Sequence, residues 1–452
     1  MGEELEKLST QLNSVRDMLY SDLKQLIEQP SVSARNEGIR ECAGLVKNML
    51  EREGFDVKIY DADRPVIVAS LTSSEKRPTI LMYNHYDVQP PEPLEEWGSD
   101  PFKLVERDGL LFGRGVADNK GDIAARLAAV RLLRHAYGEL PVSLKWIIEG
   151  EEEIGSPNLG AFIREHKDEL KADACLWEAG DISDEGIPNL YLGVKGLLYV
   201  EISTRTSSGD RHSMYAPIIP NPAWQLVQAL NTLRDSDGRV KIKEFYRDVR
   251  RPSKKEAKLI RLIKLDANKL RQSLGVSRLT DKNRVKLVEK LVMRPTCNIA
   301  GLVSGYTGPG AKTIVPSTAS VKIDFRLVPD QRPERILTLL KRHLRRFGDF
   351  EVKVYAMESP ARSNPDEAIV RVAEETAREV YGVSPNIWPS VPGTGPMSHL
   401  IQLGIPSAML NCTSHPGSNF HAPNENIAVK DLERSVIHLA MLMKRFAEKT
   451  GS

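Results

Sequence analysis

Residues 149–156 read EGEEEIGS and follow SLKWII, an apolar run that reads as a buried strand. Four glutamates, Glu149, Glu151, Glu152 and Glu153, are thus crowded at the edge of a core, where like charges raise one another's proton affinity. Two further short strand candidates end on groups able to hold a cation: TILMYN runs into His85, and ADACLW into Glu178. Asp118 sits in GRGVADNKGD just before an Ala/Leu-rich helix, and His421 lies in FHAPNE near the end of the chain. His85, Asp118, Glu153, Glu178 and His421 make an imidazole and carboxylate set without cysteine, which suits zinc, manganese or cobalt. Two divalent ions would bring four positive charges to carboxylates that otherwise repel one another. Each residue alone has a blander reading, a structural histidine or a solvated acidic turn. Their common place at strand ends favours a site. A nucleotide loop is disfavoured, because GRGVADNKGD lacks the GxxxxGK[ST] spacing.

For these residues to converge, the elements must alternate, since reactive groups in α/β sheets gather at the carboxyl ends of parallel strands. LEKLSTQLNSVRDMLYSDLKQLIEQ and GIRECAGLVKNMLERE space their apolar residues as helices do, whereas DVKIY, VIVASL and TILMYN are short and β-branched. The order predicts an α/β fold with a mostly parallel sheet flanked by helices. Near Gly193 the pattern changes: LYVEISTRTS and, later, ASVKIDFRLVP alternate apolar and polar residues as a one-sided sheet does. After about Glu358 the α/β order resumes. The expected organisation is a catalytic domain in two segments, 1–194 and 358–452, interrupted by an inserted α+β domain over 195–357.

The 452 residues are 41% hydrophobic and 27% charged, the composition of a globular chain. A net charge of +2 announces neither a nucleic-acid nor a membrane partner. Residues 243–294 carry 17 lysines and arginines against six acidic residues, which reads as a solvated helical surface, no nucleic-acid-binding signature accompanying it. Cys42, Cys175, Cys297 and Cys412 are far apart and form no CxxC pair, so neither a disulfide framework nor a zinc ribbon is expected. MGEELEKLSTQLNS lacks the apolar core of a signal peptide, and no apolar run approaches the roughly 18 residues a membrane span needs, so a cytoplasmic protein is expected.

NHYDVQP, GRGVADNKGD, EGEEEIGS and HAPNE resemble, in this order, the four metal-site signatures of the M20 metallopeptidases, a group of carboxypeptidases, cytosolic dipeptidases, aminoacylases and desuccinylases. GYTGPGAKTIVP and FRLVPD are most similar to the cytosolic dipeptidase and carnosinase branch. The resemblance implies a zinc-peptidase α/β domain with an inserted dimerisation or lid domain, and two divalent ions, zinc foremost, bridged by Asp118. One ion would add His85 and Glu178, the other Glu153 and His421. Glu152 aligns as the general base, which takes a proton from water and returns it to the leaving nitrogen. Asp87 would hold the ring nitrogen of His85 that faces away from metal, and the Asp118–Asn119 peptide bond would be cis. His212, in SSGDRHSMY, resembles the family histidine that reaches into a neighbouring subunit's site, implying a homodimer. Arg326 matches the arginine that takes the substrate carboxylate, with Ser390 and the PGTGP glycines lining the same pocket.

The chain departs from the dipeptidase pattern at Glu358, where those enzymes carry a histidine, and at Trp388-Pro389, where a Gly-Gly precedes the serine. The expected function is hydrolysis of a peptide bond next to a free C-terminal carboxylate in dipeptides or short peptides. N-acyl-amino-acid deacylation, of the acetylornithine or succinyl-diaminopimelate kind, shares every ligand and is the alternative. A non-catalytic binding protein is disfavoured because all five ligands and the base are present.

Overall fold

The structure, a computed structural model, describes residues 2–60, 63–73, 76–178, 180–410 and 412–451. Its larger layer is a nine-stranded sheet. Thr79–His85 lies in the middle, parallel to Ser143–Glu149 on one side and to Ala174–Trp177 on the other, and Ser407–Met409 continues the parallel set. Asp56–Tyr60 and Val66–Leu71 extend one edge as antiparallel strands, and Pro188–Tyr191 and Asn386–Trp388 form the other. The central strands are buried along most of their length because both faces are covered, which explains their unbroken apolar runs. Helices Asn13–Glu28, Lys120–Tyr137 and Val429–Thr450 pack on one face, and Leu159–Glu165 and Ser398–Gln402 on the other.

The Lys120–Tyr137 helix is enclosed from Lys120 to Leu133, and its small Ala124, Ala125, Ala128 and Ala129 let neighbours approach on every side. Lys120 itself is buried, its ammonium donating to the carbonyls of Leu26 and Gln29 and so fixing the end of the Asn13–Glu28 helix. Gly121 is required by close approach: a Cβ there would lie 2.1 Å from the carbonyl oxygen of Val116. Gly121 thus permits the tight turn that leads into the helix.

The second layer is a four-stranded antiparallel sheet, ordered Asn298–Ser304, Thr318–Leu327, Gly196–Arg205 and Glu351–Glu358. Strict alternation of buried and part-exposed residues along Gly196–Arg205 follows from its one-sided core, where Leu198, Val200, Ile202, Ile323 and Phe325 meet helices Pro222–Asn231 and Pro333–Leu344.

The basic stretch takes a different place from the surrounding insertion. Its helices Lys254–Leu262 and Arg284–Met293 pack through Ile260, Ile263, Val288 and Val292 against Trp388 at the edge of the large sheet. An apolar stripe outweighs the charges around it: the lysines and arginines face outward while the stripe closes a sheet edge. Ser253 and Glu256 form a reciprocal cap that starts the first helix. Glu256 is then clasped by Arg250 and Arg362. All four cysteines are buried free thiols, and no helix among the described residues is long and apolar enough to cross a membrane.

Candidate metal centre

Parallel pairing brings His85 level with Glu149, so the carboxyl ends of the central strands meet as predicted. Asp118 arrives from the turn before the long buried helix, its bond to Asn119 cis. Its Oδ1 lies 3.0 Å from Nε2 of His85, and the same nitrogen is 3.4 Å from Oε2 of Glu178. Its Oδ2 lies 3.2 Å from Nε2 of His421, which is also 3.2 Å from Oε2 of Glu153. One carboxylate therefore joins two sets, each completed by a histidine and a glutamate.

The set of Asp118, Glu153 and His421 fits a divalent ion. Ligands placed about 2.0–2.1 Å from tetrahedral zinc stand about 3.3 Å from one another, close to the spacings found here. Ligand atoms of Asp118, Glu153 and His421 all lie within 4.8 Å of one another. Oε2 of Glu178 is buried with no hydrogen-bond partner among the described residues, as expected of a donor atom kept for a cation.

Charge is balanced by protons where no metal is bound. Burial opposes charging of His85, yet the neighbouring Glu178, Asp118 and Asp87 carry its pKa well above the usual imidazole value. Hydrogen bonds to Asp118 and Glu153 push His421 up to about 10. Burial alone would raise Asp118, but the hydrogen bonds from both imidazoles hold it below the usual carboxylate range. Burial, with Asp118, Glu153 and Asp87 close by, pushes Glu152 up to about 7 against the opposing effect of His85. At pH 7 both histidines are therefore protonated in the metal-free site and must lose that proton to ligate. Metal uptake at pH 7 is expected to release at least one proton, and apparent affinity is expected to weaken as pH falls. Titration calorimetry in buffers of different ionisation enthalpy reads the proton count directly; heats independent of buffer would contradict it.

The four crowded glutamates separate into four roles. Glu149 is buried and accepts from the Tyr83 hydroxyl and from Ser156 at 2.8 Å; burial drives its pKa well above the usual carboxylate value. Glu151 accepts the backbone and side-chain nitrogens of Asn158, at 2.8 and 3.0 Å, and so fixes the start of the Leu159–Glu165 helix. Glu153 faces His421, leaving Glu152 beside the ligands with no metal to hold. Gly150 permits this bend, since a Cβ there would lie 2.3 Å from the Tyr86 hydroxyl.

Asp87 works somewhat differently from the expectation. Nδ1 of His85 meets the backbone carbonyl of Asp87 at 3.0 Å and its carboxylate at 3.4 Å. That carboxylate accepts the amides of Glu152 and Glu153, at 3.2 and 3.0 Å, so one residue orients the imidazole and anchors the glutamate loop. Two other positioning residues escaped sequence reasoning. Gln89 donates to the Glu153 carboxylate at 2.9 Å. Glu425, buried, accepts from Arg114 and from the amides of Gly115, Ala117 and Asp118, at 2.7 to 3.0 Å. Both stand inside quoted motifs, Gln89 in NHYDVQP and Glu425 in HAPNE, but their type alone did not tell what they hold.

The residues assigned to substrate lie outside this cluster. Arg326, part-exposed on the inserted sheet, donates to the Thr394 hydroxyl of PGTGP at 2.6 Å. Ser390 is fully buried, and its hydroxyl accepts from Arg362 at 2.8 and 3.1 Å, so here it braces the junction between the layers rather than standing open beside Arg326. His212 is exposed on the short strand Arg211–His212, its Nδ1 accepting from the Met214 amide at 3.1 Å. No hydrogen bond or ion pair joins it to the metal cluster of its own chain among the described residues.

Known proteins share this fold. A Sulfolobus solfataricus structure, the M20 family metallo-carboxypeptidase Sso-CP2, superposes with a TM-score of 0.89 at 38% identity, covering 99% of this chain and 100% of that one. Human carnosine dipeptidase 1 gives 0.81 at 27% identity over 99% of both chains. The Beta-Ala-His dipeptidase of Homo sapiens is 30% identical over 412 residues, 85% of this chain and 81% of that protein. Cys-Gly metallodipeptidase DUG1 of Saccharomyces cerevisiae is 26% identical over 99% of both. With residues 81–445 matching the family Peptidase M20/M25/M40, in which the enzymes are metal-dependent hydrolases, the chain belongs to that family.

Proposed function

We propose that the protein is a dinuclear metallopeptidase that cleaves the last amide bond of dipeptides or short peptides next to a free C-terminal carboxylate. The observation that carries this is the single Asp118 carboxylate facing His85 and Glu178 through one oxygen and His421 and Glu153 through the other, with Glu152 alongside. The carnosine and Cys-Gly dipeptidases among its relatives support the substrate class. Two ions, zinc foremost and manganese or cobalt in its place, would be held by those five residues and would polarise the amide carbonyl and lower the pKa of water. Glu152 takes a proton from the attacking water and delivers it to the leaving nitrogen. Arg326 receives the substrate carboxylate in its guanidinium fork.

The working form in this reading is a homodimer, with His212 serving the partner's site as an oxyanion donor. Its support is the open edge of the inserted sheet. Ile299, Leu302 and Val303 on the edge strand are at least half exposed, beside Val227 at 45%. An unpaired apolar edge of this kind calls for a covering surface. The test is a panel of dipeptides and N-acyl amino acids assayed on chelator-stripped protein reloaded with zinc, manganese or cobalt, with metal content measured in parallel. Peptide turnover with two ions per chain is expected; turnover of acyl amino acids alone would replace the peptidase reading with a deacylase.

A further inference from the structure

In the inserted sheet, Arg326 and Glu358 both stand opposite Leu197, one on each neighbouring strand. Directly opposed residues share a face, so the three side chains lie together, with Arg326 and Glu358 about 10 Å apart at the backbone. The reverse face holds Leu198, Phe325 and Met357 against the helices. The face carrying Arg326 and Glu358 looks toward the catalytic segments, for Arg326 reaches Thr394 and Oε2 of Glu358 lies 3.7 Å from Nε2 of His399. The His399 ring packs on Gly160, where a Cβ would come within 2.6 Å. Gly160 belongs to the Leu159–Glu165 helix, which begins just after the glutamate loop of the metal centre. Glu358 therefore borders the space between the substrate arginine and the metal loop. Both side chains stay reachable, Glu358 at 24% and Arg326 at 36% exposed.

The Glu358 side chain makes no hydrogen bond to a described residue, and His399 is its one ion-pair neighbour there. Burial, with Arg164 nearby, lowers the His399 pKa and keeps that ring neutral. Burial also pushes Glu358 up to about 7, the condition of a carboxylate lacking a cation.

We propose that Glu358 determines specificity by receiving a cationic side chain on the same residue whose α-carboxylate Arg326 binds, so that preferred substrates end in lysine or arginine. A lysine ammonium stands five bonds of about 1.5 Å each from its Cα, long enough to cross from the arginine toward the glutamate. Leu197 lies between the two charges and offers an apolar floor for the methylenes. A substrate ending in glutamate meets repulsion, and one ending in an uncharged chain leaves the carboxylate buried and unpaired.

This inference rests on the peptidase reading, and the test separates the two. Metal-loaded wild type is assayed with Ala-Lys, Ala-norleucine, whose side chain has similar length without charge, and Ala-Glu. kcat/KM is expected to favour Ala-Lys over Ala-norleucine by about 10- to 100-fold, the effect of one charge-assisted hydrogen bond. In Glu358→Gln that ratio is expected to fall toward one. As a check that needs no variant, free lysine should inhibit wild type more strongly than free norleucine by a similar factor. Wild type that cleaves Ala-norleucine as well as Ala-Lys overturns the subsite and leaves the peptidase reading standing. A variant that loses rate equally on all three peptides also overturns it, placing Glu358 as a tie to His399. Fully loaded wild type inert to every peptide overturns both readings.

Discussion

Glu152→Gln is expected to keep its metal content while turnover falls by about 10²–10⁴, the range for loss of a general base. The amide has nearly the shape of the carboxylate, and what fixes the loop is untouched: the Glu152 and Glu153 backbone amides still donate to Asp87, and Gln89 still holds Glu153. Only the proton carrier is removed. Glu153→Gln makes the contrast, because Glu153 faces His421 at 3.2 Å and shares its cluster with Asp118. That variant should lose metal and activity together. Metal analysis beside kcat on both proteins reads the difference, and parallel losses in Glu152→Gln would show that the two roles are exchanged.

Mixing two inactive variants should restore activity. His212→Ala and Glu152→Gln chains are each expected to be nearly inactive alone, since in one every site lacks the partner's histidine and in the other every site lacks the base. In a hybrid dimer one site carries both defects and the other neither. Random exchange at equal amounts makes about half the dimers hybrid, so roughly a quarter of wild-type activity should return if sites act independently. The motivation is the placement of His212 on an exposed strand of the insertion with no bond to its own chain's cluster among the described residues. Failure to recover, once exchange is confirmed by native mass spectrometry of differently tagged chains, would confine His212 to its own subunit.

The proposed ligand set could be assembled from sequence because each member ends a recognisable strand or sits in a motif of its own. His85, Glu153 and Glu178 follow buried runs whose carboxyl ends the parallel sheet must bring together, and Asp118 and His421 stand in distinctive turns. Less visible was the division of labour within EGEEEIGS. Whether a glutamate is a buried hydrogen-bond acceptor like Glu149 or a helix-start acceptor like Glu151 depends on Tyr83 and Asn158, contacts that no local pattern announces. The basic stretch was legible as a charged helical surface but not in what it covers. Its apolar positions, Ile260, Ile263, Val288 and Val292, are few among many charges, and only the tertiary fold shows that they close the Trp388 edge. Ser390 was placed by motif position alone, and Arg362, from a strand sequence reasoning did not single out, decides where its hydroxyl points.

The Glu425 contacts also bear on how the enzyme is made. The amide of Asp118 is held by a carboxylate 307 positions later, and His421, in the same closing loop, faces the Asp118 side chain at 3.2 Å. At translation rates of about 5–20 residues per second, the Asp118 turn leaves the ribosome ~15–60 s before the residues that shape it. The strands that end at His85, at Glu149 and just before Glu178 can pair during that interval, but the carboxylate that shapes the Asp118 turn is made only afterwards. On the proposed reading, a nascent chain would present a half-built donor set, and metal loading would wait for synthesis of the His421–Glu425 loop.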